Sequence, residues 1–165
     1  MNKRILSDSV CGVAVLMLML LLLGASSGFA QHRAINPNKS VSHAPYSQGI
    51  VAGNTLYVAG LQGTDLSGKF PSGGFAAQTR SVLENIRRVV EAAGFQMKDV
   101  VSVNVYLTDI HDFAAMNKIY AGFFPDPKPT RTTVQVAALS NGALIEISAI
   151  AVREGRVQML PAGAH

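Results

Sequence analysis

The chain has 165 residues, 15% of them charged, with a formal net charge of +4 and one cysteine, Cys11. That length suits one ordinary domain, and a lone cysteine excludes a disulfide framework or a thiolate metal site. After residue 30 the basic residues are scattered, with Arg87-Arg88 the only adjacent pair, so the concentrated stripe of a nucleic-acid surface is missing.

Residues 1–30 read as a secretory signal rather than as part of the fold. Lys3 and Arg4 precede an unbroken apolar run of eleven residues, Val13 to Leu23. Small residues follow, with Gly28 and Ala30 where a signal peptidase reads, so cleavage is expected before Gln31. The run is shorter than the ~20 residues of a membrane span. The expected mature chain has 135 residues and a net charge of +3, keeps no cysteine, and is exported to the periplasm or secreted, with no membrane attachment.

Residues 31–43 read as an irregular arm, interrupted by Asn36-Pro37-Asn38. Two short apolar runs, Ser47 to Ala52 and Thr55 to Gly60, flank Gly53-Asn54, a hairpin signal because both residues tolerate positive φ. Gly63 to Gly74 is a loop. From Phe75 to Ala93, Thr79, Val82, Leu83, Ile86, Val89, Val90 and Ala93 share one helical face, and Glu84 stands i,i+4 from Arg88. Gly94 ends that helix.

Asp99 to Leu107 alternates as a half-buried strand. A second helix, about Asp112 to Phe124, is expected to start at Asp109 or His111-Asp112 and to stop before Pro125. Two strands follow, Arg131 to Val136 and Leu144 to Val152. Residues 154–165 form a tail outside the domain of 44–153. The order β-β-α-β-α-β-β predicts an α+β fold with helices on one face of a largely β sheet.

The chemistry concentrates in the last two strands. An arginine such as Arg131 can hold a planar carboxylate through two parallel hydrogen bonds. Glu146 lies among isoleucines, where partial loss of water makes a carboxylate a candidate proton carrier. Both also fit structural ion pairs or solvated faces. Were the two strands paired directly as a hairpin, Arg131 and Glu146 would be able to share a face. The four histidines have no metal-site spacing, and the glycines of 63–74 lack the lysine-hydroxyl ending of a phosphate loop.

Several segments taken together resemble the reactive-intermediate deaminase family, also described as 2-iminobutanoate/2-iminopropanoate deaminases. They are Ala44-Pro45-Tyr46-Ser47-Gln48-Gly49 and Leu56-Tyr57-Val58-Ala59-Gly60-Leu61-Gln62-Gly63, then Gln78 to Gly94. Val105-Tyr106-Leu107-Thr108-Asp109, Asn117, Tyr120 and Phe123-Phe124 continue the match. Pro129-Thr130-Arg131-Thr132-Thr133 and Ile145-Glu146-Ile147-Ser148-Ala149-Ile150-Ala151 close it. The resemblance covers nearly all of residues 44–153.

It implies a chorismate-mutase-like α+β subunit, two helices on one face of a mixed sheet, assembled as a homotrimer with clefts between subunits. It implies hydrolysis of small 2-imino or enamine acids to 2-oxo acids and ammonia, without metal or organic cofactor. Arg131 would clamp the substrate carboxylate and Glu146 would position or activate water. Tyr46, Ala59, Gly60, Asn117 and Thr133 would line the cleft. Thr133 stands where many relatives carry cysteine, Ala59 replaces a small polar residue, and Ser148 stands where some have a second acid. Two rival expectations are a trimer that binds small carboxylates without turnover and a protein-interaction or holdase protein. RNA cleavage fits poorly with export and scattered charge.

Overall fold

A computed structural model describes residues 32–37 and 45–153. The expected signal, most of the arm and the tail lie outside these residues. Six strands form one sheet in the order β1-β2-β3-β6-β4-β5. They are β1 (Arg33–Ile35), β2 (Gly49–Ala52), β3 (Thr55–Gln62), β4 (Val100–Leu107), β5 (Thr130–Gln135) and β6 (Ile145–Val152). Helices α1 (Gly74–Ala92) and α2 (Phe113–Tyr120) cover one face. All pairings are antiparallel except β4 with β5, which are parallel across the α2 crossover, as the strand-helix-strand order predicts.

The core is made by alternation meeting helical periodicity. Leu56 and Val58 of β3, Val103, Val105 and Leu107 of β4, and Ile145 and Ile147 of β6 face the helices and are buried. Against them α1 lays Thr79, Val82, Leu83, Ile86, Val89 and Val90, with Ala93 just beyond, which is the predicted stripe in full. Each fully buried aliphatic side chain contributes roughly 1.5–3 kcal/mol, and no side chain caps the start of α1. Burial, not capping, therefore holds this helix. Its far end is closed by Gly94 at φ 82.

Three expectations need correction. The arm is not wholly irregular: Arg33–Ile35 is an edge strand on β2, fixed by an Arg33 hydrogen bond to the Ala93 carbonyl at 3.0 Å. Asn36 then accepts from the Gln48 amide at 2.8 Å and ends it. Glu84 pairs with Arg87 at 2.5 Å instead of Arg88, which binds Asn85. The second helix is shorter, Phe113–Tyr120, after a 3-10 turn at Ile110–Asp112 whose amide at His111 is capped by Asp109. The open question of a β5–β6 hairpin is answered in the negative, because β4 lies between the two strands.

Candidate active site

Strand order decides where the two charged groups go. Arg131 pairs with Val103, and Glu146 pairs with Tyr106, three residues further along the same central strand. Odd separation means opposite faces. Arg131 points to the helix side and Glu146 to the open side, so one subunit's sheet separates them.

On the helix side the Arg131 guanidinium lies 4.6 Å from the Tyr120 ring centroid and 5.5 Å from that of Phe113, both on α2. The rings supply cation–π attraction and a flat seat. One N–H donates to the Met116 sulfur at 3.8 Å, and the guanidinium has no carboxylate partner among the described residues. Lys128, nearby, is committed instead: its ammonium donates to the carbonyls of Phe124 and Ala121 and lies 3.6 Å from Asp126. Arg131, Lys128, Asn117 and Tyr120 line a cavity of about 440 Å³.

Two buried hydroxyls mark this side. Tyr120 Oη and Thr133 Oγ1 have no hydrogen-bond partner among the described residues. Burial pushes the Tyr120 phenol up to about 12, against a smaller opposing pull from Arg131, so Tyr120 remains a neutral donor at physiological pH. Thr133 shares the Arg131 face, opposite Val105.

On the open side Glu146 lines a second cavity, also about 440 Å³, with Tyr46, Gly60, Gln62, Asn85 and Ser140. The isoleucines flanking Glu146 in sequence, 145 and 147, are buried on the opposite face. Its surroundings are thus more polar than its sequence neighbours imply. Gln62 lies directly across from it in the β3–β6 register and donates to its Oε2 at 3.1 Å. Ser140 accepts from the same Gln62 amide nitrogen at 2.7 Å. Asn85 of α1 donates to the carbonyls of Gln62 and Thr64, which pins the end of β3 to the helix.

A β-bulge shapes this wall. Between Val58↔Ala149 and Leu61↔Ile147, β3 has one residue more than β6, and Ala59 and Gly60 occupy the irregularity. Gly60 has no room for a side chain: a Cβ there would lie 2.4 Å from Glu146 Oε1.

The predicted residues therefore divide. Arg131 and Asn117 line one cavity; Glu146, Gly60 and Tyr46, which is 51% exposed, line the other. Thr133 lies beside the first as a buried hydroxyl, and Ala59 packs against the core and lines neither. Gln62, Ser140 and Tyr120 had no role assigned from sequence. Gln62 and Tyr120 stand within the matching segments, but nothing local says which partner each meets.

The open face around Glu146 carries exposed Tyr57 and Val134 and partly buried Tyr106 and Ile150. No group of three or more histidine, cysteine, aspartate or glutamate side chains suited to a metal occurs among the described residues.

Comparisons with known proteins agree with this architecture. A family model described as Endoribonuclease L-PSP matches residues 37–153. A RutC family protein of Pyrococcus horikoshii is 50% identical over 111 residues, 67% of this chain and 88% of its own length. The human 2-iminobutanoate/2-iminopropanoate deaminase is 41% identical over 110 residues, 66% of this chain and 80% of its own. Among solved structures, RidA from an Antarctic Psychrobacter superposes with a TM-score of 0.69 at 39% identity, covering 73% of this chain and 99% of that one. Escherichia coli TdcF with bound serine gives 0.68 at 35%, covering 73% and 98%. With its mixed sheet, its two one-sided helices and a model match from residue 37 to 153, the chain belongs to the RidA-like family, whose model carries the L-PSP description and whose members include imine deaminases.

Proposed function

We propose that this protein is a hydrolase that converts small 2-imino acids to 2-oxo acids and ammonia. The observation that carries the reading is the Arg131 guanidinium, seated on two rings and without a carboxylate of its own among the described residues. Such a group is ready to take a substrate carboxylate through paired hydrogen bonds.

Arg131 and Glu146 act together across a contact between copies of the chain. Their placement on opposite faces supports this, as does the open sheet face with exposed Tyr57 and Val134, a surface suited to another subunit. A homotrimer is the expected assembly for this family. In the cleft, Arg131 of one subunit fixes the carboxylate while Glu146 of its neighbour orients water at the imine carbon. As the water oxygen bonds to that carbon, Glu146 accepts a water proton and the C=N pair moves to nitrogen. Glu146 then returns that proton to the amine and takes the remaining O–H proton as the C–N bond breaks, so ammonia leaves as the carbonyl forms. A protonated imine is already electrophilic, so positioning is the main requirement, with no metal or organic cofactor.

The test is to generate 2-iminopropanoate in situ with an amino-acid oxidase and follow its decay with residues 31–165, which hold every described element. Accelerated decay is expected, falling roughly 100-fold in a folded Arg131→Ala variant, the equivalent of ~2.7 kcal/mol. No acceleration by folded wild-type protein rejects the reading. Binding of a small carboxylate without turnover is the second reading, favoured by the serine bound in the related TdcF structure. It predicts saturable serine binding by calorimetry with an inert imine assay.

Export before Gln31 completes the proposal, and it places the substrate outside the cytoplasm. Amino-terminal sequencing of protein recovered from the periplasm or medium should begin at Gln31. An intact Met1 or an exclusively cytoplasmic product would reject it.

A further inference from the structure

We propose that Gln62 is the positioning residue for Glu146, holding its carboxylate so that Oε1 is the oxygen presented to the attacking water; this rests on the hydrolytic reading above. The geometry is a three-residue clamp. Gln62 and Glu146 are cross-strand partners, and the Gln62 amide donates to Glu146 Oε2 at 3.1 Å and to Ser140 Oγ at 2.7 Å. A primary amide has two N–H donors, and a carboxylate can only accept. One N–H therefore serves each partner, and the orientation of the amide is fixed by chemistry, since its oxygen would repel the carboxylate. With both donors engaged, the side chain has one conformation that satisfies them.

The clamp is asymmetric at the carboxylate. Oε2 is tied down, whereas Oε1 accepts no hydrogen bond among the described residues. Oε1 instead lies over Gly60, where a Cβ would approach to 2.4 Å. The bare glycine leaves room at one oxygen while the glutamine fixes the other. A base used in this way needs one free oxygen at a defined angle, because small misplacements of a reacting group reduce rates steeply.

Gln62 reaches this place through the bulge at Ala59-Gly60, which sends Leu61 into the core and Gln62 out beside Glu146. Ser140, in the turn before β6, supports the amide from the far side. Ser140 acts on Gln62 and not on the carboxylate, so its loss should matter less.

Steady-state imine hydrolysis by Gln62→Leu, Glu146→Ala and the double variant tests the proposal, with Ser140→Ala and Gln62→Met as milder probes should the leucine variant fold poorly. Gln62→Leu is expected to lower kcat roughly 10- to 100-fold, the size of losing one hydrogen bond to a charged group, with KM within about twofold. In the Glu146→Ala background the same change should cost nothing further, since Gln62 acts through Glu146. A loss of equal size in that background, a loss confined to KM, or an unchanged kcat overturns it.

A readout without substrate keeps the clamp separable from the reaction. The Gln62 side-chain amide proton should resonate downfield in wild-type protein and return toward the solvent value in Glu146→Ala. A solvent-like resonance in wild type overturns the clamp whatever the activity. An inert wild type with a downfield resonance brings down the hydrolytic reading and the catalytic role of Gln62 with it, and leaves the clamp standing.

Discussion

Arg131 and Glu146 stand on the two faces of one sheet and are fixed by different physics. Arg131 is held by stacking: two aromatic rings of α2 and a methionine sulfur support it. Glu146 is held by hydrogen bonding, through Gln62 and Ser140. Ring faces fix a guanidinium while leaving most of its N–H groups unused, which suits a group proposed to clasp an anion. A hydrogen bond fixes a carboxylate by occupying one oxygen, which suits a group that must leave the other available. The contrast teaches that support is chosen by what the functional atom must keep free.

The largest test of this contrast exchanges charge on the polar side. Glu146→Gln keeps the shape and removes the base, so kcat for imine hydrolysis should fall roughly 10²- to 10⁴-fold, whereas Arg131→Ala should raise KM as well. If both variants changed kcat and KM in the same ratio, the division of labour between the faces would be wrong.

Two glycines of one strand end come next. A Cβ at Gly63 would meet the Gln78 backbone oxygen at 2.3 Å, while the nearest atoms to one at Gly60 belong to the Glu146 side chain, its carboxylate first. Backbone cannot swing aside, so Gly63→Ala should cost roughly 1–3 kcal/mol in urea denaturation. Gly60→Ala should cost less than about 1 kcal/mol, because the glutamate can rotate, yet lower activity about tenfold by displacing it. Equal stability losses would show that Glu146 is held as rigidly as backbone.

The smallest effect belongs to the apolar side. Tyr120→Phe removes a buried hydroxyl with no partner among the described residues and should leave stability unchanged or raise it by up to about 1 kcal/mol at pH 7. The phenol lies at about 12 in the folded protein against an ordinary value of 10.0. Below pH 10 both states keep the proton; between pH 10 and 12 the unfolded chain releases it while the folded one does not. Wild-type stability should therefore fall as pH rises through that window, and Tyr120→Phe should flatten the fall in denaturation midpoints measured across it.

Much of this was legible in the sequence, and the exceptions share a cause. The apolar face of α1 was readable because a helix carries its whole period within itself, and only the buried Gln78, a polar residue, escaped that pattern. The parallel β4–β5 pair followed from the helix between them. Periodicity in one strand does not name its neighbour, so the insertion of β4 between β5 and β6, which parts Arg131 from Glu146, was hidden. Strand β1 was missed for the same reason: three residues have no usable period, and distant contacts with Ala93 and Gln48 hold them. Glu84 shows a smaller version, where two arginines one residue apart offered partners at i+3 and i+4; the nearer one pairs with it, while Arg88 bonds Asn85.

The bulge in β3 works as a parity switch. A strict two-residue count from Leu56 would turn Gln62 toward the helices and leave Leu61 beside the glutamate. One extra residue reverses the count for everything after it. Deleting Ala59 would remove the bulge itself: Val58, Gly60, Leu61 and Gln62 would then alternate regularly, with Leu61 still in the core and Gln62 still beside the carboxylate. Point substitutions tune this wall by degrees. A one-residue deletion at the bulge would leave it unchanged, so the bulge is the place where this strand carries an extra residue without altering which side chain meets the glutamate.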